Sequence, residues 1–353
     1  MGKVRFKWQN DEWERLCVAY VSGYDKLGLK ELKQRLLSGE RPGKIVKTQG
    51  WDGWVEEMGK LLRQHDIRIV VWGDKAYPVN LENIPSYPLV LFVKGVLEPG
   101  LDAKAAAVVG TRRPTQYGIY WAQVIGQKLV DYGWVVVSGL AFGIDGVVHQ
   151  QVVKAGGRTI AVIPVGLDRI YPASHQKLAE EIVEQGGCLI SEIGPGEGVK
   201  HAGVFPRRNR VIAGLSRFLV VVEGGKQSGT LTTANFMINM GREVWALPGR
   251  IDNEKAWAPN FLIKNGAWPI IGMDDLDEVL GRERRRQISW GKGIRTDLDD
   301  DERSVLGWVE AEKSVDELAE ESGWEVDKLL EVLSRLELKG LVKVLHGGGY
   351  VRV

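Results

Sequence analysis

Residues 205–234 read FPRRNRVIAGLSRFLVVVEGGKQSGTLTTA, and their pattern decides the fold. Arg207, Arg208 and Arg210 stand at a predicted helix start, with the helix running over Arg208–Leu215. Phe218–Val222 is then a continuous apolar, β-branched run, and Gly224–Thr230 is a glycine- and hydroxyl-rich turn opening a second helix over Leu231–Met240. A strand apolar on both faces, set between helices, belongs to a parallel sheet covered on both sides. A helix start carries unpaired N–H groups and the positive end of a dipole, which together suit an anion. Arginine adds a planar, permanently charged fork that matches phosphate oxygens. The segment therefore reads as a phosphate-binding surface on an α/β core.

The same alternation extends outward in both directions. Predicted strands are Ile67–Trp72, Leu89–Val93, Ala106–Val109, Val135–Ser138, Thr159–Ile163, Cys188–Ser191, Phe218–Val222 and Glu243–Leu247. Helices fit between them over Gly118–Tyr132, Gly143–Ala155 and Gln176–Gln185. The glycine-rich segments fall at the carboxyl ends of these strands, where ligands sit in open α/β sheets. Residues 1–66 read as an N-terminal helical module, with apolar residues at helical spacing over Asp11–Tyr20 and Leu29–Leu37. Residues 67–281 form the α/β core, and residues 282–300, beginning Arg282-Glu-Arg-Arg-Arg-Gln287, read as a charged linker. Residues 301–353 are a small separate unit. A helix over Glu302–Val309 is followed by Ser314-Val-Asp-Glu317, a capping box whose helix Gly323 ends, and by a third helix over Val326–Leu338. Two short strands around Gly347-Gly-Gly349 complete the winged-helix order. The third helix is acidic, which favours protein contact or packing over a duplex.

Composition limits the function. A chain of 353 residues with net charge +1 has no global excess of positive charge, so any nucleic-acid contact must come from local clustering. Cys17 and Cys188 are the only cysteines, without CxxC spacing, so neither a disulfide framework nor a metal site is expected. Neither a GxGxxG fingerprint nor a P-loop occurs, and no cofactor is expected. The polar start Met1–Gln9 is no signal peptide, and no apolar run reaches membrane-spanning length; a cytoplasmic protein is expected. The thirteen tryptophans read as core rather than as stacking platforms.

Four βα loops carry the chemistry. Gly110 lets backbone approach a ligand, with Thr111 and Arg112 offering a hydroxyl and a cation there. Ser138–Asp145 is the second loop; Asp145 and His149 share a helix face but lack hydrolase or metal context, so both read as structural. In the third, Asp168 is placed to orient Arg169, Lys177 to meet a phosphate and Tyr171 to stack on a base. In the fourth, Ser228, Gly229 and Thr230 present small groups and N–H donors, and Glu223 is expected to pair with Arg210 or Arg217.

The motifs GTRRPTQYG (110–118), VSGLAFGID (137–145), GLDRIYP (166–172), ISE (190–192), FPRRNRVIAGLS (205–216), SGTLTTA (228–234) and GREVWALPG (241–249) follow one another in the order of the DprA/Smf family of DNA-processing proteins, which this chain resembles over Ile67–Leu280. The resemblance implies an extended Rossmann-like, mostly parallel core that binds single-stranded DNA without catalysis. It also implies protection of incoming DNA, help in loading RecA recombinase during natural transformation, and a homodimer. Carried over by motif, the DNA-binding residues would be Gly110, Thr111, Arg112, Arg113, Phe142, Arg169, Lys177, Arg207, Arg208, Asn209, Arg210, Ser228, Gly229 and Thr230. Many relatives have a basic residue where Phe142 stands, so a phosphate contact is missing there or replaced by base stacking. The segment Ala256-Trp-Ala-Pro-Asn260 and the pair Gly224-Gly225 also depart from the family pattern.

An enzyme is the alternative. GGKQSGTLTT is similar to the PGGxGTxxE loop of phosphoribohydrolases that split nucleotide N-glycosidic bonds on a Rossmann-type core, but Thr233 stands where their glutamate is expected. A third reading is an adaptor that uses the two terminal units to join other proteins.

Overall fold

The computed structural model describes residues 29–38, 40, 51–82, 84, 86–199, 201–288, 298–309, 313–338, 341–344 and 349–352. The helix expected over Asp11–Tyr20 lies outside them, as do linker residues 289–297 and most of the glycine turn near the C-terminus. The chain divides into two compact units, Met1–Gly281 and Arg282–Val353.

In the first unit, α1 (Leu29–Leu37) and α2 (Trp51–Gln64) precede β1 (Ile67–Val71) and β2 (Val90–Gly95). A short α3 (Pro99–Asp102) leads into the alternating part: β3 (Ala105–Val109), α4 (Gln116–Asp131), β4 (Val135–Ser138), α5 (Ile144–Lys154), β5 (Thr159–Val162), α6 (Gln176–Glu184), β6 (Cys188–Ser191), α7 (Val204–Leu215), β7 (Phe218–Val221), α8 (Gly229–Asn239), β8 (Glu243–Ala246), α9 (Trp257–Lys264), β9 (Trp268–Pro269) and α10 (Met273–Ile288). Among the described residues these strands form a nine-stranded sheet in the order β1-β2-β6-β5-β4-β3-β7-β8-β9. β2 pairs antiparallel with both β1 and β6, and every other neighbour is parallel. At two residues, β9 is too short to give a periodic signal, and the sequence reading did not find it.

The sheet is buried on both faces, which is why its strands read as unbroken apolar runs. Val135, Val137, Ile160, Val162, Leu219 and Val221 point to one side and pack against Val211, Ile212 and Leu215 of α7 and Ala234 and Met237 of α8. Ala106, Val108, Val136 and Val220 point the other way onto Ile125 and Leu129 of α4 and Val148 of α5. On that second face Leu32 and Leu36 of α1 and Met58 and Leu62 of α2 share one cluster with Ile67, Ile69 and Phe92. The described part of residues 1–66 is therefore packed directly on the sheet. The division between the two units falls at Gly281 and Arg282, where the linker was expected to begin, and α10 continues across it as helix to Ile288. Arg282–Gln287 holds no Gly or Pro to stop a helix, and its high charge was read as a break.

The second unit contains α11 (Asp300–Trp308), α12 (Val315–Ser322), α13 (Val326–Leu338) and the antiparallel pair β10 (Val342–Val344) and β11 (Tyr350–Arg352), with Lys313 bridging to Tyr350. Capping boxes start α11 (Asp299 with Glu302) and α12 (Ser314 with Glu317), and Gly323 ends α12 at φ 70° in the left-handed region. Val305, Leu318, Leu329, Val332, Leu333 and Leu336 form its core. This is the winged-helix arrangement.

One buried group makes the first unit sensitive to acid. His149 of α5 is fully buried, with Nδ1 2.8 Å from the Thr159 hydroxyl. Burial is the main cause that pushes its pKa down to about 3. The folded pKa is depressed, so the stabilisation is present above the unfolded value of about 6.5 and is lost as pH falls below it. Lowering the pH from 7 to 4 is expected to cost about 3 kcal/mol through this residue. His149→Gln should flatten that part of the pH profile in chemical denaturation, and an unchanged profile would contradict the assignment.

Candidate nucleic-acid interface

The chain runs outward from β3 through β4 and β5 to β6, then returns by α7 to place β7 on the other side of β3. β3 is followed by α4 on one face of the sheet, and β7 by α8 on the other. At such a switch point the two βα loops part and leave a crevice beyond the strand ends. A cleft of about 580 Å³ lies here, walled by Gly110–Arg113, by Ala141 and Asp145 after β4, by Phe205, Arg208, Asn209 and Ile212 of α7, and by Gly225 and Gln227–Thr230 after β7.

Glu223 holds the two sides of the cleft together. It is buried at the end of β7, and its carboxylate accepts from the Thr115 amide at 2.9 Å and the Thr115 hydroxyl at 2.6 Å. Its own carbonyl accepts from the Thr111 amide at 2.7 Å. The expected pairing with Arg210 or Arg217 is therefore corrected: two donors of the β3–α4 loop satisfy this carboxylate. Arg210 pairs with Glu192, and Arg217 Nε donates to the Ala103 carbonyl. Gly118 is required beside it, because a Cβ there would collide with the Glu223 carboxylate.

A buried pair forms the floor. Arg208 is 8% exposed; Nη1 lies 3.9 Å from Asp145 Oδ2 and donates to the Val162 carbonyl at 3.3 Å. Gly139 leaves the space through which this guanidinium passes, and its amide donates to Asp145 at 3.1 Å. Burial raises the Asp145 pKa, opposed by Arg208 and by backbone amides. Burial likewise lowers the Arg208 pKa, opposed by Asp145.

The remaining sequence-predicted residues divide by position. Gly110, Thr111, Arg112, Arg113, Arg208, Asn209, Ser228, Gly229 and Thr230 all line the cleft. Arg112 and Arg113 are exposed at its rim, and the Arg112 guanidinium sits 5.2 Å from the centre of the Phe205 ring. Ser228 caps α8, its hydroxyl accepting from the Thr230 hydroxyl at 2.7 Å. Phe142 belongs to an adjoining depression that shares Arg112, Phe205 and Arg208 with the cleft. Arg207 and Arg210 turn toward the buried Glu192, whose pKa burial raises against the pull of both arginines. Arg169 is bound to Asp168, and Lys177, 88% exposed, reaches Glu181; neither lines the cleft. Sequence reasoning missed Gln227 and Lys255, which do line it. Lys255 arrives from a turn before α9, pinned where the Gly224 amide donates to the Lys255 carbonyl at 2.6 Å. Only the glycine pair at 224–225 hinted at that close approach.

No group of three His, Cys, Asp or Glu side chains among the described residues could hold a metal ion, and no helix among them is long and apolar enough to cross a membrane.

Comparison with known proteins gives a consistent picture. The family model for DNA recombination-mediator protein A matches residues 68–281, and that for the DprA winged helix domain matches residues 295–348. The chain is 37% identical to Protein Smf of Escherichia coli over 306 residues, covering 83% of this chain and 79% of that protein. The X-ray structure of DNA processing protein A from Streptococcus pneumoniae is similar, with TM-score 0.58, 30% identity, and coverage of 74% of this chain and 91% of that one. DNA processing protein A from Helicobacter pylori, in a structure concerned with that protein's single-stranded DNA binding mode, gives TM-score 0.55 and 25% identity over 62% of this chain and 98% of that one.

Two substitutions test the architecture of the site. Arg208→Met leaves Asp145 buried without its counter-charge and should cost about 3–5 kcal/mol in chemical denaturation, with Asp145→Asn in the same chain restoring part of the loss. Additive losses in the double variant would contradict the pairing. Glu223→Gln should cost about 1–3 kcal/mol, because one of the two Thr115 donors loses its charged acceptor; unaltered stability would contradict its role as the tie.

Proposed function

The chain belongs to the DNA recombination-mediator protein A family, and on that premise we propose that its cleft holds the backbone of single-stranded DNA without breaking a bond in it. The observation that carries this reading is the cleft at the β3/β7 switch point, where the start of α8 at Gly229, the hydroxyls of Thr111, Ser228 and Thr230, and the cations Arg112, Arg113 and Lys255 line one volume. A helix N-terminus and guanidinium groups suit phosphate oxygens, and phosphate contacts carry no sequence information. Arg169, Lys177 and Arg207 lie outside the cleft lining and each meets a carboxylate (Asp168, Glu181 and Glu192), while Arg208 and Arg210 serve by shaping α7. We also propose, from the family, that the protein acts in the cytoplasm as a homodimer in natural transformation. There it protects incoming DNA and presents it to RecA recombinase.

A strand contacting three or four phosphates should bind with a log–log salt slope of roughly −2 to −3. Fluorescence-anisotropy titration with an unstructured oligonucleotide should show this slope, with the matching duplex bound more weakly. Arg112→Ala with Arg113→Ala should weaken single-strand binding about tenfold or more and reduce the slope by about 1.4. Unchanged affinity and slope would overturn the reading. Release of free base from nucleoside monophosphates would instead favour the phosphoribohydrolase-like alternative.

A further inference from the structure

Trp257 departs from the core placement expected of the tryptophans, because it opens α9 on that helix's outer side. Its neighbours Ala256, Ala258 and Leu262 are buried, whereas Trp257 is half-buried and Phe261, one turn on, is 42% exposed. The two rings stack, with centres 4.8 Å apart and planes 11° from parallel. The Lys226 ammonium lies over the indole at 5.9 Å, close to the outer limit of a cation–π contact. Hydrogen bonds pin the backbone around this group. The Gly224 amide donates to the Lys255 carbonyl at 2.6 Å, and the Ala258 amide donates to the Gly224 carbonyl at 2.8 Å. The Asn253 side chain accepts from the Lys255 amide at 3.0 Å, and the Asn260 side chain bonds both the amide and the carbonyl of Gly249. Two lysines and two stacked rings are thus carried on one ledge, built from the loop after β7 and the start of α9.

We propose that a single strand leaves the cleft across this ledge, with Lys255 and Lys226 beside its phosphates and the Trp257–Phe261 stack against one of its bases. The inference rests on the single-strand reading above and adds to it the route by which the strand exits. The occupant follows from shared backbone. Gly225, Gln227 and Lys255 line the cleft, Lys226 stands between the first two, and Trp257 lies two residues beyond the third. A strand with a phosphate beside Lys255 therefore meets Lys226 and the indole next. Glu254 lines the same wall and repels phosphate, which the adjacent Lys255 charge offsets. Lysine is a point charge on a flexible stem, so Lys226 swings from the ring to a phosphate as a base arrives. Every base has a π-face, so the ledge lengthens the footprint without selecting a sequence.

The experiment titrates the full chain with oligothymidylates of about four and about sixteen nucleotides, the range of single-strand site sizes, across a salt series. Trp257→Ala should weaken the long strand about fivefold or more and leave the short strand, which fills only the cleft, unchanged. Phe261→Ala should act in the same direction, and Trp257→Phe should keep most of the affinity. Lys226→Ala should lower the salt slope of the long strand by about 0.7 and leave that of the short strand in place. A thermal melt shows whether each variant is folded, and Lys226→Ala, at an exposed loop position, carries the test where Trp257→Ala is not. Variants that bind the long strand as tightly as the unmodified chain, or that lose both lengths equally, would overturn the ledge; in the first case the cleft reading stands. If the unmodified chain binds neither length, both readings fall.

Discussion

Two adjacent parallel strands that send their following helices to opposite faces of one sheet impose the constraint on which the site depends. β3 and β7 are hydrogen-bonded neighbours up to Val109 and Val221, and backbone bonds from Val222 to Val109 and from Thr111 to Glu223 carry the pairing to the point where the loops part. Beyond that point the loops separate, and their remaining polar groups need other partners. Glu223 meets part of that need from inside by accepting from Thr115, and its carbonyl accepts from Thr111. At the start of α8 the Thr230 amide is capped by the Ser228 hydroxyl and the Leu231 amide donates to the Ser228 carbonyl, so the helix presents the positive end of its dipole to the gap more than a row of unpaired amides.

Buried charges set the shape of this gap more than they set its charge. Arg208, Asp145 and the Val162 carbonyl fix α7 against the ends of β4 and β5, and the Arg210–Glu192 pair fixes its outer side. Arg242 secures the far end of the same helix, donating to the carbonyls of Ala213, Gly214 and Ser216. A helix anchored at both ends keeps Phe205 and Asn209 at fixed places in the wall. The arginine-rich segment therefore contributes mainly scaffold, and the exposed rim arginines of the GTRRP loop, together with Lys255, line the cleft.

Much of this was legible in the sequence. The parallel sheet follows from runs such as Val135–Ser138 and Phe218–Val222, and the location of the cleft follows from glycines placed at strand ends. The directions of the arginines were not legible. Residues 207, 208 and 210 turn about the helix axis by its 3.6-residue period, so they cannot all face one groove, and which of them turns inward depends on tertiary packing. α7 starts at Val204, four residues before the expected Arg208, and takes Pro206 into its first turn, where the missing N–H has no intrahelical partner to lose. Glu223 was read from charge alone as a partner for arginine, whereas the nearest donors come from a loop more than a hundred positions earlier in the chain (|i−j| = 108). Lys255 reached the cleft by a turn that no local pattern announces.

The most direct test of the switch-point account is a crystal structure of the full chain with a short oligothymidylate. The account predicts a phosphate seated between the loops that follow β3 and β7, beside the start of α8 at Gly229 and within reach of Arg112. A strand found instead along the outer edge of the sheet, or bound only by the winged-helix unit, would contradict it.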